Sequence, residues 1–276
     1  MTLVDHLGTR ALGLGTAGFI FNGSPTERSL DTIATALDGG IRLIDTARAY
    51  SRIGEESSAE ALVAEALRSD SEGRALVATK GGHWREGESF PIRGDAATLR
   101  RHCHDSLSTL GIERIELYQL HHVDPAVPLG ESVAALRDLG SEGLIRRIGL
   151  SNVSLAQVRE AESIAPIAAV QNRLSLGRPV DHALLRHCER SGIAFLAYSP
   201  LGGRGAAVPP VVEAVARRHA ASSAQVMLAW LFAQSASVVP LVGATRAASV
   251  RDALAARDLT LSVGDLLDLD EGAPGE

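Results

Sequence analysis

Aromatic residues are scarce in this chain: Trp, Tyr and Phe together make up 4% of its 276 residues. Cysteine is scarcer still, with Cys103 and Cys188 alone. Two thiols are too few for a disulfide framework and are not spaced as zinc ligands. Both fall in helix-like stretches and read as buried thiols. No apolar run approaches the ~20 residues of a membrane span, and the start, MTLVDHLGTR, lacks the charged-then-apolar pattern of a secretory signal. The expectation is a soluble, cytoplasmic protein. Basic clusters are missing as well, none being longer than pairs such as Arg146-Arg147 or Arg217-Arg218. With 27 basic against 33 acidic residues and a formal net charge of −6, the chain has no Lys/Arg-dense face for nucleic acid.

What is present is a core and a period. Apolar residues reach 45%, and the length suits one large domain, taken as residues 1–276. Short apolar or β-branched runs recur at residues 11–14, 41–45, 75–80, 115–121, 145–151, 168–171, 193–198 and 238–243. Amphipathic stretches separate them, at 29–37, 57–67, 96–110, 130–139, 154–163, 182–190, 222–234 and 247–255. Ser57, Ser154 and Asp181 stand as N-caps, and glycines follow several of the stretches. Eight strands alternating with about eight helices predict a (β/α)8 TIM barrel, an α/β fold. Residues before Ala11 read as one arm of an N-terminal β-hairpin with Gly8 at the turn, and a short final helix is expected near 262–269. The runner-up fold is a doubly wound open sheet. "GLGTAG" does match G-x-G-x-x-G, but loop-like "FIFNGSP" follows Gly18 where a dinucleotide fingerprint needs a helix.

Strand side chains alternate, so counting back by two from each strand end lists the inward set. That set is mostly apolar below and polar at the tip. The tips are Asp45, Lys80, His121, Ser151, Gln171 and Tyr198. Active sites of barrels are built at this C-terminal face. Alone, each tip residue reads as a cap, a solvated charge or a structural group; together they make a constellation. Lys80 and Tyr50 are poor metal partners, no nucleophile elbow is present, and only one carboxylate reaches a tip where a glycosidase needs two. What remains is a tyrosine beside a lysine. A cation at about 4 Å interacts by roughly 4 kcal/mol at an effective dielectric near 20. That is enough to pull a phenol down from its ordinary value near ~10, so Tyr50 is expected to have a lowered pKa. Proton donation to a developing alkoxide contributes about 10² to 10⁴ in rate.

The motifs "DTARAY" (Asp45, Tyr50), "ATKGG" (Lys80), "LYQLHHVDP" (His121), "GLSNVS" (Ser151, Asn152), "VQNR" (Gln171) and "AYSPLGG" (Tyr198), in this order, resemble the aldo-keto reductase superfamily over nearly the whole chain. The resemblance implies that Tyr50 is the general acid/base, that Lys80 and Asp45 tune it, and that His121 orients the substrate carbonyl. It implies NADPH/NADP+ as cofactor, NADH being possible, and no metal. Ser151, Asn152 and Gln171 would hold the carboxamide, with Tyr198 under the nicotinamide. Ser199, Leu201 and Gly202 would lie along the pyrophosphate. Gly243, Ala244, Thr245 and Arg246 would meet the adenosine phosphate end.

Three departures qualify this. Leu174 follows "VQNR" where such members generally continue with Tyr. The phosphate-clamp loop carries Arg246, with Arg251 a turn further on. The long C-terminal loop of many aldose and steroid reductases is absent, which implies an open pocket shaped by Phe19, Phe21, Trp84 and His122. Trp84 reads equally as a loop anchor. The expected partner is a small-molecule carbonyl substrate, with no nucleic acid and no membrane, and a monomer is the default. The alternative function is a nucleotide-sensing or scaffold protein with a vestigial reductase site.

Overall fold

The structure is a computed structural model that describes residues 1–273; residues 274–276, the end of the expected domain, lie outside the described residues. Eight strands form it: β1 (Gly13–Gly15), β2 (Leu43–Asp45), β3 (Leu76–Gly81), β4 (Leu117–Leu120), β5 (Ile148–Ser151), β6 (Ile167–Arg173), β7 (Ala194–Tyr198) and β8 (Val238–Val242). Each pairs in parallel with its sequence neighbours, and β1 also pairs with β8, which closes the barrel. Each of the eight expected runs overlaps one of these strands. A doubly wound open sheet is ruled out by the closure.

Alternation along each strand divides the core in two. Leu43, Ala78, Leu117, Ala169, Leu196 and Leu241 fill the barrel interior. Out-of-phase neighbours such as Ile44, Val77, Tyr118, Leu150 and Val170 pack with the helices. Burial by period two therefore gives two apolar layers from one set of strands.

The helices among the described residues are α1 (Leu3–Leu7), α2 (Ala17–Phe21), α3 (Thr26–Asp38), α4 (Ser58–Ser69), α5 (Ala96–Leu110), α6 (Leu129–Ser141), α7 (Leu155–Glu162), α8 (His182–Ser191), α9 (Pro210–Arg218), α10 (Ser223–Gln234), α11 (Ala247–Ala255) and α12 (Val263–Gly272). Eight of them match the expected stretches, and α12 matches the expected final helix. Ser154 and Asp181 cap as expected, each accepting a backbone N–H of the first turn. Ser57 does not cap: it takes a left-handed conformation at φ 52° and its side chain makes no cap bond.

The expected N-terminal hairpin is not formed. Residues 3–7 are a helix, opened by a Thr2–Asp5 capping box and ended at Gly8. Leu3, Val4 and Leu7 have helical, not alternating, spacing, and they join the interior cluster as the floor of the barrel. Two further helices were outside the expected set. α2 occupies part of the stretch read as a loop, and its single turn ends at Asn22, too short for a crossover helix. α9 begins at Pro209-Pro210, a favoured helix start whose prolines also read as a break.

Candidate active site

β2 ends on Asp45, and the chain then folds back: the Tyr50 N–H donates to the Ala47 carbonyl at 3.0 Å and the Tyr50 carbonyl accepts from Ala59 N–H at 2.9 Å. This ties the loop to the first turn of α4 and brings the phenol over the barrel mouth. Lys80 reaches the same point from β3 and is fully buried. Its Nζ lies 2.8 Å from both Asp45 oxygens, 2.9 Å from the Thr46 carbonyl and 3.2 Å from the Tyr50 hydroxyl. A buried ammonium without such partners would be strongly disfavoured. Burial opposes the Lys80 charge, but Asp45 and Tyr50 together outweigh it and hold its pKa above the ordinary value.

The phenol departs from the sequence expectation. Burial raises the Tyr50 pKa, and the Lys80 charge offsets this only in part, so the group is held above its ordinary value rather than below it. Desolvation wins because the loop leaves the hydroxyl little water, whereas the sequence estimate considered the cation alone. The consequence is a phenol that stays protonated at neutral pH, a donor.

His121 follows β4 and stands edge-on to the Tyr50 ring at 5.8 Å. Burial, Lys80 and the neighbouring His83 and His122 keep it neutral, with a pKa well below the ordinary imidazole value. Its Nδ1 is buried without a partner. Next to it, Asn152 takes the left-handed region at φ 59°, a conformation Asn tolerates better than most side chains. From there Nδ2 donates to the His121 carbonyl at 3.1 Å and to Ser151 Oγ at 3.0 Å, while Oδ1 accepts from the Tyr198 hydroxyl at 2.9 Å. The Gln171 amide donates to Asp45 Oδ1 at 2.7 Å, which leaves its Oε1 as an acceptor on the cavity side. Gln119, one layer below, donates to the same Asp45 oxygen at 3.4 Å.

A cavity of about 830 Å³ runs from Tyr50 and His121 past Ser151, Asn152, Gln171, Tyr198, Ser199 and Leu201 to Gly243, Thr245 and Arg246. Gly202 sits just behind this wall, its carbonyl accepting from Arg173 at 2.7 Å. Of the four residues expected to shape the substrate side, Phe21 and His122 line the cavity. Phe19 does not: it is 1% exposed and belongs to the core between barrel and helices. Phe19 and Ile20 are the buried residues of α2, whereas Phe21 turns out. Trp84 is also elsewhere, edge-on against His102 at 5.4 Å, as a loop anchor. Two neighbours were not foreseen, His83 and Phe90. The signal that could have pointed to them is the presence of three ring residues in "HWREGESF", in a chain with only 4% aromatics.

The whole of this arrangement falls within a known family. Residues 7–272 match the model of the Aldo/keto reductase family. An uncharacterized oxidoreductase of Schizosaccharomyces pombe is 32% identical over 277 residues, covering 99% of this chain and 88% of that protein. A probable aldo-keto reductase 1 of Glycine max is 32% identical over 306 residues, covering 98% and 86%. Among solved structures, an aldo/keto reductase from Klebsiella pneumoniae in complex with NADP and acetate superposes with a TM-score of 0.81 at 28% identity, covering 96% of this chain and 92% of that one. A closed eight-stranded barrel, a buried Lys–Asp pair under a tyrosine and a match spanning nearly every residue lead to one conclusion: this chain belongs to the aldo/keto reductase family of NAD(P)H-dependent oxidoreductases.

Proposed function

We propose that the protein reduces an aldehyde or ketone to an alcohol with NADPH, and that Tyr50 is the general acid. The observation that carries this is the position of Lys80 Nζ, 3.2 Å from the Tyr50 hydroxyl and 2.8 Å from Asp45. The cofactor, when bound, supplies the hydride to the carbonyl carbon. The chain's own groups supply the rest. Tyr50 hands its proton to the developing alkoxide, and the adjacent ammonium stabilises the phenolate left behind. Asp45, held by Gln171 and Gln119, keeps Lys80 in place and compensates its charge. His121, neutral and next to Tyr50, orients the carbonyl oxygen by hydrogen bonding.

The donor set fits a nicotinamide. Gln171 presents an acceptor, Asn152 and Ser151 are fixed polar groups beside it, and the Tyr198 ring is pinned by its hydroxyl. Arg246 at the start of α11 suits the phosphate end and favours NADPH, and NADH remains usable where that single arginine is the main clamp. Tyr50→Phe removes only the transferable proton. Turnover with NADPH and an aldehyde should fall by about 10² to 10⁴, while NADPH binding, followed by fluorescence quenching, is unchanged. Full activity in this variant would overturn the assignment.

A further inference from the structure

Glu60 is a buried carboxyl that the mechanism above does not use. It stands in the first turn of α4, fully buried, and its Oε1 accepts from Thr79 Oγ1 at 2.6 Å. Thr79 is equally buried and precedes Lys80 in β3. Alternation along the strand turns Thr79 outward to the helix while Lys80 turns inward to the barrel mouth. The hydroxyls of Ser106 and Ser57 face the same carboxyl. Burial raises its pKa above the usual carboxylate range, against the pull of these three hydroxyls and of Arg48.

The local sequence would place this side chain elsewhere. Ser57-Ser58-Ala59-Glu60 spells S-x-x-E, the capping-box pattern. In that box the serine caps the helix and the glutamate turns back to the serine's backbone N–H. Neither arm is formed: Ser57 stands at φ 52° and makes no cap bond, and Glu60 bonds across to β3 instead. The segment forgoes a local cap and holds Ser57 in a sparsely populated conformation, which persists only where surrounding contacts over-determine it. Such departures from local rules concentrate at functional sites.

What the Glu60–Thr79 bond connects is the reacting pair. One residue before Glu60, the Ala59 N–H donates to the Tyr50 carbonyl at 2.9 Å. One residue after Thr79, Lys80 Nζ meets the Tyr50 hydroxyl at 3.2 Å. Of the two carriers, β3 is fixed by its ladders to β2 and β4. The start of α4 has no cap, and its core residues Leu62 and Val63 lie further along. On the outside, Arg48 links the loop to Glu56 at 2.8 Å and to Asp105 at 3.0 Å. The Glu56 side chain is 82% exposed and that of Asp105 40%, where ion pairs contribute little. The fully buried tether between the loop that carries Tyr50 and the strand that carries Lys80 is Glu60–Thr79.

We infer that Glu60 is a positioning residue for the reduction: through Thr79 it holds the Tyr50 hydroxyl at the Lys80 ammonium. This rests on the reductase reading above. Glu60 acts as an acceptor at Oε1 and not through its charge. Without the tether the loop takes more than one position over β3, and the proton donor spends less time beside the ammonium that stabilises its phenolate.

The test changes both partners, because replacing them together by apolar groups of similar shape leaves no buried polar group unpaired and is nearly neutral for stability. kcat and KM with NADPH are measured in the native protein, in Glu60→Gln and in the double variant Glu60→Leu/Thr79→Val. The substrate is whichever of butyraldehyde, benzaldehyde and glyceraldehyde the native protein reduces best. The double variant should keep a near-native Tm, NADPH binding and KM, yet lose about 10- to 100-fold in kcat, the upper figure being that of a 1 Å misplacement. Glu60→Gln, which keeps the acceptor, should retain most of kcat. Native kcat in the double variant, or a loss in Glu60→Gln as large as in the double variant, overturns the inference and leaves the reductase reading intact. Should the native protein reduce none of the three aldehydes, the reductase reading falls and amide exchange decides the tether. The Ala59 amide, measured against that of Val158 in the distant α7, should then exchange about 2- to 10-fold faster in the double variant, the effect of one lost hydrogen bond. An unchanged ratio sinks the inference. Where the double variant does not fold, Thr79→Val takes its place in both measurements.

Discussion

Lys80 is the residue on which the site depends. It is a fully buried cation whose direct ionic partner is a carboxylate only 3% exposed. Removing one member of such a pair costs more than the pair contributes, because the other charge is stranded. Lys80→Met should therefore destabilise the fold by about 3–5 kcal/mol in urea unfolding. Adding Asp45→Asn to that variant should recover most of the loss while turnover stays absent. If the double variant is no more stable than the single one, the stranded charge is not the cause. Tyr50 illustrates the same balance from the other side: a phenol near a cation is still held up by burial, and only the full environment gives the sign.

At the level of elements, β3 is the strand with least room. Gly81 follows Lys80 and pairs with Leu120 of β4. A Cβ there would run into the hydroxyl and ring of Tyr118, a fully buried side chain whose hydroxyl donates to the Leu99 carbonyl at 3.2 Å. Gly81→Ala should cost about 1–3 kcal/mol by overpacking and lower kcat as well, since the displaced strand carries Lys80. Gly264→Ala in α12, where the nearest atom to a new Cβ is Ser262 Oγ at 3.8 Å, should be neutral or slightly stabilising. Equal thermal shifts in the two variants would contradict this account. The same scale explains α1. Its five residues are too few to announce a helix by period, and their role as floor exists only once a barrel is there to close.

For the molecule as a whole, acid should act through histidines kept neutral by burial. His83 and His102 lie at about 4, and His121 lies well below its ordinary value. An unfolded histidine titrates near ~6.5. Between that pH and about 4 the unfolded chain takes up protons that the folded chain does not. Stability therefore falls as pH drops through this window, by roughly 1.4 kcal/mol per pH unit for each such group. Thermal unfolding followed from pH 7 to pH 4 should show a declining Tm, and His102→Gln should flatten the slope. A flat profile in the native protein would rule out this contribution.

The alternation of short apolar runs with amphipathic stretches was enough to place the eight strands and the helices between them, because period two and period 3.6 are local properties of the chain; the pairing of β1 with β8 is what decided a barrel over an open sheet. Polar tips on strands whose lower positions are apolar were equally legible, and they named Asp45, Lys80, His121 and Gln171 before any distance was known. What the sequence could not decide was set by packing between segments far apart in the chain. Gln171 serves Asp45 across 126 residues of chain. Trp84 turns to His102, His83 stacks on Phe90 beside His121, and Phe19 turns into the core. The direction of the Tyr50 pKa likewise depends on how much water the folded loop excludes. Desolvation and side-chain contact are properties of three-dimensional neighbours, and only the tertiary structure supplies those.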